Sequence, residues 1–330
     1  MNFRLPFEQK KHTIVRKREA TTDPKLGCEP EKRDIKKLIS YGLIVLNKPP
    51  GPTSHQVADY VKKIFNVSRC GHGGTLDPNV TGVLPLALDK ATRVVQVLLP
   101  AGKEYVCLMH LHNVVSLEQI EKAFIHFSGE ITQLPPIRSA VKRQLRKRNV
   151  YYIELLESEG KDVLFRIGCQ AGTYIRKFVH DLGVYLECGA HMVQLVRTKA
   201  GPFTDKQMWT LHDIKDAFEF YKEGNEESLR KIILPFERAA DHLGKIWVSD
   251  GAVDALCHGS DLYAVGVVKY TEPLEKDELV ALFTLKNELI CIGNMAMDSA
   301  TLKGAENGVA VKTTKVFMER GIYKNKKYIL

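Results

Sequence analysis

The chain has 330 residues, of which 44% are apolar, and it carries a formal net charge of +9. That length and apolar content suffice for one large domain and a small one, and the basic charge favours a polyanionic partner, nucleic acid before membrane. The seven cysteines are scattered and never form a Cys-x-x-Cys pair, which argues against a disulfide framework and against a zinc ribbon.

The first part of the chain, up to about residue 38, is polar and strongly charged. Few apolar residues here could build a core, so we expect an extension that is either disordered or wrapped on another part of the protein. The first residues lack a signal-peptide pattern, and no run approaches the ~18 apolar residues that span a bilayer. We therefore expect a soluble, cytoplasmic protein.

The next 200 or so residues alternate between strand and helix patterns without a regular βαβ rhythm. Leu43-Ile44-Val45-Leu46 is typical of a buried strand, and residues 103–111 and 163–167 alternate like strands. After Gly172 the apolar spacing becomes helical. Capping signals predict three further helices: one capped by Thr53 or Ser54, one that starts at Ser116 and one that begins near Thr210. The pattern favours an α+β fold over a doubly wound sheet.

The composition changes near Leu243-Gly244. From Ile246 to about Met318, short apolar runs are separated by turn residues such as Gly259 and Asn307-Gly308. The clearest of these predicted strands are Val265 to Val268, Leu279 to Phe283, Leu289 to Ile292 and Val309 to Val311. About 80 residues of this kind predict a small β-barrel.

One loop, Gly71 to Pro78, carries the carboxylate of Asp77 among glycines and a proline. The glycines permit positive φ and leave room for a ligand near the backbone, and Pro78 disfavours a helical conformation at Asp77. Such an acid could act as a nucleophile or a base. It could equally be a turn former or a helix cap, and loop composition alone leaves both roles open.

Three more side chains could have either a functional or a purely structural role. His72 could bind a phosphate or a base edge, or simply be a loop histidine. Tyr105, in a strand pattern, could pack in the core or stack on a base. Arg176 lies where a strand leads into a helix, opposes the helix dipole, and so calls for an anion nearby unless it is merely solvated.

A basic run lies between residues 138 and 148 and contains no acid. Such a run is often a solvated surface, but with prolines before it and tyrosines after it, it is typical of a mobile loop that contacts a phosphate backbone. Its basic members are Arg138, Lys142, Arg143, Arg146, Lys147 and Arg148.

Taken together, these segments resemble the TruB-type pseudouridine synthases, and among them the archaeal members of the dyskerin branch. The similarity extends over nearly the whole chain and rests on five separated segments in the family's order. They are Lys48 to His55, Gly71 to Pro85, Lys103-Glu104-Tyr105, Gly172 to Arg176, and Gly189 to Thr198.

The resemblance implies a pseudouridine synthase fold, a mixed and mainly antiparallel sheet with flanking helices, followed by a small β-barrel similar to PUA domains. It implies three regions. Residues 1–38 would be a basic extension packing on the C-terminal domain, 39–244 the catalytic domain with a thumb loop at about 138–150, and 245–330 the RNA-binding barrel.

The resemblance also implies roles for individual residues. Asp77 would be the nucleophile or base that breaks the uridine glycosidic bond, and Arg176 would pair with it. Tyr105 would stack on the flipped base, Leu195 would pack behind that tyrosine, and His72 would help hold the extruded nucleotide. Lys48 and the six basic residues of the 138–148 run would contact RNA. No cofactor and no metal are implied.

Catalytic subunits of H/ACA guide-RNA particles belong to this branch, so the resemblance implies a set of partners. They are an H/ACA guide RNA, substrate rRNA or tRNA, a small zinc-binding Nop-type protein, a Gar-type β-barrel protein and, through the RNA, a kink-turn-binding ribosomal-protein relative. Three alternatives stay open: a stand-alone tRNA synthase, a non-catalytic RNA-binding scaffold for ribosome assembly, and another PUA-bearing enzyme such as a base transglycosylase or an RNA methyltransferase.

Overall fold

The computed structural model describes residues 3–135 and 143–324. Within these ranges the chain forms two compact units. One contains residues 3–9 and the described part of 42–234, and the other contains residues 10–41 and 235–324. Residues 3–9 thus belong to the first unit, although no sequence pattern separates them from the rest of the extension.

The α-helices in the described ranges are α1 Pro6–Gln9, α2 Ile35–Ser40, α3 Ser54–Phe65, α4 Val95–Leu98, α5 Leu117–His126, α6 Ile175–Tyr185, α7 Leu211–Lys222, α8 Glu227–Ile232, α9 Asp250–Cys257 and α10 Ser299–Gly304. Short 3₁₀ turns lie at Pro30–Lys32, Asp89–Val94, Asp205–Gln207, Phe236–Ala240 and Ala264–Gly266.

The strands are β1 Thr13–Arg16, β2 Gly42–Lys48, β3 Cys70–His72, β4 Thr81–Leu88, β5 Lys103–Leu111, β6 Gly129–Gln133, β7 Arg146–Glu159, β8 Asp162–Cys169, β9 Ala190–Ala200, β10 Phe203–Thr204, β11 Leu234–Pro235, β12 Gly244–Val248, β13 Leu262–Tyr263, β14 Val267–Glu272, β15 Leu279–Phe283, β16 Leu289–Met295 and β17 Val309–Val316.

The first unit is built on a sheet whose strands follow the order β2-β4-β9-β5-β8-β7-β6, with β3 paired to β4 and β10 paired to β9. Nearly all these pairs are antiparallel, and β4 with β9 is a parallel pair. Helices α5 and α6 bury their apolar faces in the same core cluster as β5 and β8, at residues such as Phe124, Phe165 and Phe178. This is the α+β architecture that the sequence predicted.

Local sequence explains where three helices begin. Thr53 and Gln56 form a reciprocal capping box at the start of α3, Ser116 and Gln119 form one at α5, and Thr210 and Asp213 form one at α7. Each box satisfies backbone N–H groups that have no partner within the helix. These three predicted helix starts are confirmed.

The second unit contains a sheet that has seven strands among its described residues, in the order β1-β14-β12-β15-β16-β17-β13. Its core includes Ile246, Tyr270, Leu282 and Ile290. Strand β15 has the predicted bounds, whereas the strand predicted from Val265 begins only at Val267, because a 3₁₀ turn takes the preceding residues.

Each unit holds one of the two tryptophans. In the first, the Trp209 backbone N–H donates to Val45 O over 2.9 Å. In the second, Trp247 Nε1 donates to Asn287 Oδ1 over 2.8 Å, and the Lys269 ammonium lies 4.6 Å from the Trp247 ring centroid.

Across residues 3–135 and 143–324, no helix is both long and apolar enough to cross a bilayer.

Candidate active site

Asp77 lies in the loop that joins the antiparallel strands β3 and β4. The loop takes a sharp path at Gly74, whose φ of +133° suits glycine and strains other residues. Ser54, the first residue of α3, holds the loop from one side: its Oγ accepts from Leu76 N over 2.9 Å and donates to Leu76 O over 3.2 Å. The residue before Asp77 is therefore fixed at both of its backbone polar groups.

Lys48 holds the other side of the same loop. Its Nζ donates to Pro49 O, Pro78 O and Val80 O over 2.9, 2.8 and 3.1 Å, and the side chain is fully buried. Burial lowers the pKa of Lys48, and the charge of Asp77 partly offsets this shift. All three donors of the ammonium are used, so the prediction that Lys48 contacts RNA is wrong: it is a support for the loop.

Arg176 pairs with Asp77 as the resemblance implied. Its Nη2 donates to Asp77 Oδ2 over 2.7 Å, and the side chains are 61% and 54% exposed. Arg176 is the second residue of α6. The start of this helix is held by Gln133 of β6, whose side-chain amide donates to Tyr174 O over 3.2 Å and accepts from Tyr174 N over 3.0 Å. The ion pair thus joins a fixed loop to a fixed helix start.

Tyr105 lies on β5 directly opposite Arg197 of β9. Tyr105 is partly buried and packs against the core cluster that contains Leu195. Burial raises the pKa of the Tyr105 phenol, and the charge of Asp77 adds to this rise, while a hydrogen bond to Arg197 opposes it. The phenol is therefore neutral at physiological pH, and it lies within the electrostatic reach of Asp77.

Arg197 connects the two halves of the site. It is 1% exposed, its Nε donates to Val83 O over 2.7 Å, and its Nη2 donates to Gly74 O over 3.2 Å. One guanidinium therefore contacts β4, the start of the loop that carries Asp77, and the Tyr105 phenol. Sequence reasoning gave Arg197 no role, although it stands in the fifth quoted segment.

Lys103 is a second buried cation that the sequence analysis did not assign. Its Nζ donates to Leu98 O, Leu99 O and Ala101 O over 2.8, 3.0 and 2.7 Å. Burial lowers the pKa of Lys103 to about 7, and Arg197 contributes to the shift. A lysine placed two residues before a candidate tyrosine was the available signal, but burial cannot be read from that spacing.

His72 ends β3 and contacts a second histidine. Its Nε2 lies 3.2 Å from His55 Nδ1, and the two rings meet edge to face at 5.0 Å. Burial lowers the pKa of His72, and the charges of His55 and Arg197 lower it further. A neutral imidazole can still exchange a hydrogen bond with a nucleotide, but it supplies no permanent charge to a phosphate.

The basic run is only partly a loop. Arg138 and Lys142 lie outside the described residues. Arg146, Lys147 and Arg148 belong to β7, which pairs with β6, so the predicted loop to residue 150 is wrong from Arg146 onward.

Solvent can reach parts of this run. Arg143 and Lys147 are exposed, and Lys147 Nζ lies 2.8 Å from Glu130 Oε1.

In the ranges that the structure describes, no group of three histidine, cysteine or acidic side chains could hold a metal ion.

Four family models match successive parts of the chain. They are the DKCLD (NUC011) domain at residues 2–58, the N-terminal domain of the TruB family pseudouridylate synthases at 62–175, the tRNA pseudouridylate synthase B C-terminal domain at 176–241, and the PUA domain at 244–317.

Whole proteins match along almost their full length. The chain is 52% identical to the probable tRNA pseudouridine synthase B of Methanopyrus kandleri, over 97% of this chain and 95% of that one. It is 53% identical to the protein of the same description from Pyrococcus furiosus, over 97% and 94%.

Solved structures agree. A chain in the crystal structure of a Cbf5-Nop10-Gar1 complex is 52% identical, with a TM-score of 0.91 over 97% of this chain and 98% of that one. A chain in the structure of an H/ACA RNP bound to a substrate RNA containing 2′-deoxyuridine is 50% identical, with a TM-score of 0.89 over 97% and 99%. With its loop aspartate, its paired arginine and its PUA domain, the chain belongs to the TruB family of pseudouridine synthases.

Proposed function

We propose that this pseudouridine synthase is the catalytic subunit of an H/ACA particle and modifies uridines in rRNA that a guide RNA selects. The observation that carries the proposal is the near-complete match to chains solved in a Cbf5-Nop10-Gar1 complex and in a substrate-bound H/ACA RNP. The chain would then bind an H/ACA guide RNA, a Nop-type protein and a Gar-type protein, with a kink-turn-binding protein joined through the RNA.

In this proposal Asp77 carries the chemistry. Its carboxylate either attacks the sugar at C1′ and forms a covalent adduct, or removes a sugar proton and leaves a glycal. In both routes the bond between C1′ and N1 breaks, the uracil rotates, and C5 bonds to C1′. The bond from Asp77 to C1′ then breaks in the first route, or the sugar proton returns to the sugar in the second, so that the carboxylate is regenerated. The proton on C5 passes to solvent, and N1 takes up a proton. Arg176 orients Asp77 through the 2.7 Å contact, because a fixed ion pair restricts the carboxylate to one geometry.

The remaining site residues hold the flipped nucleotide. Tyr105 stacks on the base, and its raised pKa favours stacking over proton removal because the phenol stays protonated. Leu195 supports Tyr105 from the core, and His72 exchanges a hydrogen bond with the nucleotide. Extruding a base costs a few kcal/mol of stacking, which these contacts offset.

Of the basic residues, we assign RNA contacts to Arg138, Lys142, Arg143, Arg146, Lys147 and Arg148. The exposure of Arg143 and Lys147 supports this for two of them. Such contacts would read phosphate and shape rather than sequence, which suits an enzyme whose targets are chosen by base pairing.

A second function is favoured by the description shared by the curated relatives, probable tRNA pseudouridine synthase B. The same active site could modify the TΨC-loop uridine of tRNA without a guide. The two activities are compatible, since both need the same chemistry at Asp77.

Tritium release from RNA labelled at uridine C5 tests both functions. Release from rRNA fragments only with guide RNA and partner proteins supports the guided synthase. Release from bare tRNA that guide and partners do not raise, with no release from guided rRNA, would replace it with the stand-alone synthase. The Asp77→Asn protein serves as the control for both reactions.

A further inference from the structure

A buried acid lies next to Tyr105 on the same strand. Glu104 is 4% exposed, and its carboxylate accepts hydrogen bonds from the Tyr152 hydroxyl and, over 2.7 Å, from Thr198 Oγ1. Tyr152 extends from β7 across β8 to Glu104 and passes over Gly168. Only glycine leaves enough space there, because a Cβ at Gly168 would lie 2.2 Å from the tyrosine ring. Glu104 therefore ties β5 to two other strands.

One of these bonds fixes a β-bulge. In the pairing of β5 with β9, Glu104 is opposite Lys199 and Tyr105 is opposite Arg197, so Thr198 is the extra residue. A bulge re-aims the side chains beside it. This one places Arg197 opposite Tyr105, and the Thr198 hydroxyl bond to Glu104 holds the extra residue in place.

The N-terminal residues supply the next contact in this network. Lys199 Nζ lies 3.3 Å from Glu104 Oε2, and 3.0 and 3.1 Å from the two carboxylate oxygens of Glu8 on α1. The Lys199 side chain is 20% exposed. A long, partly solvated lysine loses much rotamer freedom when it is held, and a buried carboxylate needs its cation close. Glu8 keeps Lys199 beside Glu104.

Residues 3–8 are themselves well seated in this unit. Leu5 is fully buried and lies against Gly102, just before β5. Phe3 packs edge to face on Tyr152 with ring centroids 5.9 Å apart. Glu8 Oε2 also accepts from Leu5 N over 2.7 Å. These contacts fix the Glu8 carboxylate at the place where Lys199 meets it.

We propose that Glu8 is a positioning residue for Tyr105, acting through Lys199, Glu104 and the bulge at Thr198. Residues 3–9 are then a working part of the active site. The inference rests on the role proposed above for Tyr105. A displacement of 1 Å at a reacting group can lower a rate by about 100-fold, so partial loosening of this network should lower it by about tenfold.

The test compares Glu8→Gln with Glu118→Gln in the assembled particle. Glu118 also pairs with a lysine, Lys122 at 2.7 Å, but on the surface of α5. We measure the single-turnover rate of tritium release at saturating enzyme, the Kd for substrate RNA and the melting temperature. Glu8→Gln should lower the rate by about tenfold while Kd and melting temperature stay unchanged, and Glu118→Gln should match the wild type.

Two further variants separate the possible failures. Thr198→Val removes the bulge hydrogen bond at constant shape, and its effect should not add to that of Glu8→Gln, because residues in one network are coupled. Tyr105→Ala should lose most of the rate. The inference about Glu8 would be overturned by a wild-type rate in Glu8→Gln, or by a protein with both Glu8→Gln and Thr198→Val whose loss of rate is the sum of the two single losses in free energy. Either result would leave the role of Tyr105 standing. A wild-type rate in Tyr105→Ala would overturn the role of Tyr105 and the inference with it.

Discussion

Arg176 Nη2 lies 2.7 Å from Asp77 Oδ2, although 99 positions separate the two residues in the sequence. Both side chains are more than half exposed, so the pair faces solvent where a nucleotide could approach. Exposed ion pairs contribute only about 0.2–1 kcal/mol to stability. The expected effect of this pair is therefore on the orientation of the carboxylate rather than on stability, and Arg176 can be substituted without unfolding the protein.

Asp77→Asn should abolish turnover and leave RNA binding nearly intact. The amide keeps the shape of the side chain but is neither a nucleophile nor a base, and the contacts from Ser54 and Lys48 keep the loop in place. A loss of at least about 1,000-fold in single-turnover rate is expected, with an unchanged Kd. Unfolding of this variant would indicate instead that Asp77 is a turn former.

Arg176→Gln should lower the rate of tritium release by about 10- to 100-fold, because a misoriented nucleophile or base loses proximity. The melting temperature should stay within about 1–2 °C of the wild type, since the pair is exposed. Arg238→Gln, which removes the surface ion pair with Asp241, is the matched control. Equal rates in the two variants would count against the assigned role of Arg176.

Lys48→Met should destabilise the protein without lowering its affinity for RNA. The change removes the ammonium that donates to three loop carbonyls. Pro78 O keeps the Gly51 N–H as a donor, whereas the carbonyl of the buried residue Val80 loses its bond to Lys48, at a cost of about 1–3 kcal/mol for a buried group left unpaired. Thermal unfolding and RNA titration measure the two effects. Arg143→Gln, at an exposed position, should show the opposite pattern, with a higher Kd for RNA and an unchanged melting temperature.

Stability should fall in weakly acidic solution because of His72. Burial, with His55 and Arg197, lowers the folded-state pKa of this imidazole below its ordinary value of about 6.5. Below that pH the unfolded chain binds a proton that folded His72 does not, so the free energy of unfolding decreases as the pH falls through this window. His72→Gln lacks this contribution.

Melting temperatures of wild type and His72→Gln at about pH 7.5 and pH 5.5 measure this effect, since the window lies near an ordinary histidine pKa of about 6.5. The wild type should lose more on acidification than the variant does. A difference between the two proteins that stays constant with pH would show that His72 takes up its proton equally in both states.

Much of this fold could be predicted because its signals are local. The capping boxes of α3, α5 and α7 each lie within four residues, and the alternation over β5 matches its observed bounds. The Asp77 loop also carries its own signal in glycine and proline. Its pairing with Arg176 came from the family resemblance rather than from any local pattern.

The supports of the site could not be predicted, since they depend on contacts between distant segments. Lys48 stands in a stretch rich in proline and glycine that looks exposed, but carbonyls some 30 positions away enclose its ammonium. Arg197 is buried through bonds to residues 114 and 123 positions away. Leu5 stands in a charged extension, and its burial depends on contact with Gly102, which lies 97 positions away.

The chain carries an optical reporter in each of its units. Its two tryptophans are divided between them, with Trp209 bonded to β2 in the first and Trp247 under Lys269 in the second. In Trp209→Phe all tryptophan emission comes from the second unit, and in Trp247→Phe all of it comes from the first. Denaturant titrations of this pair would therefore reveal whether the two units lose their structure at the same denaturant concentration.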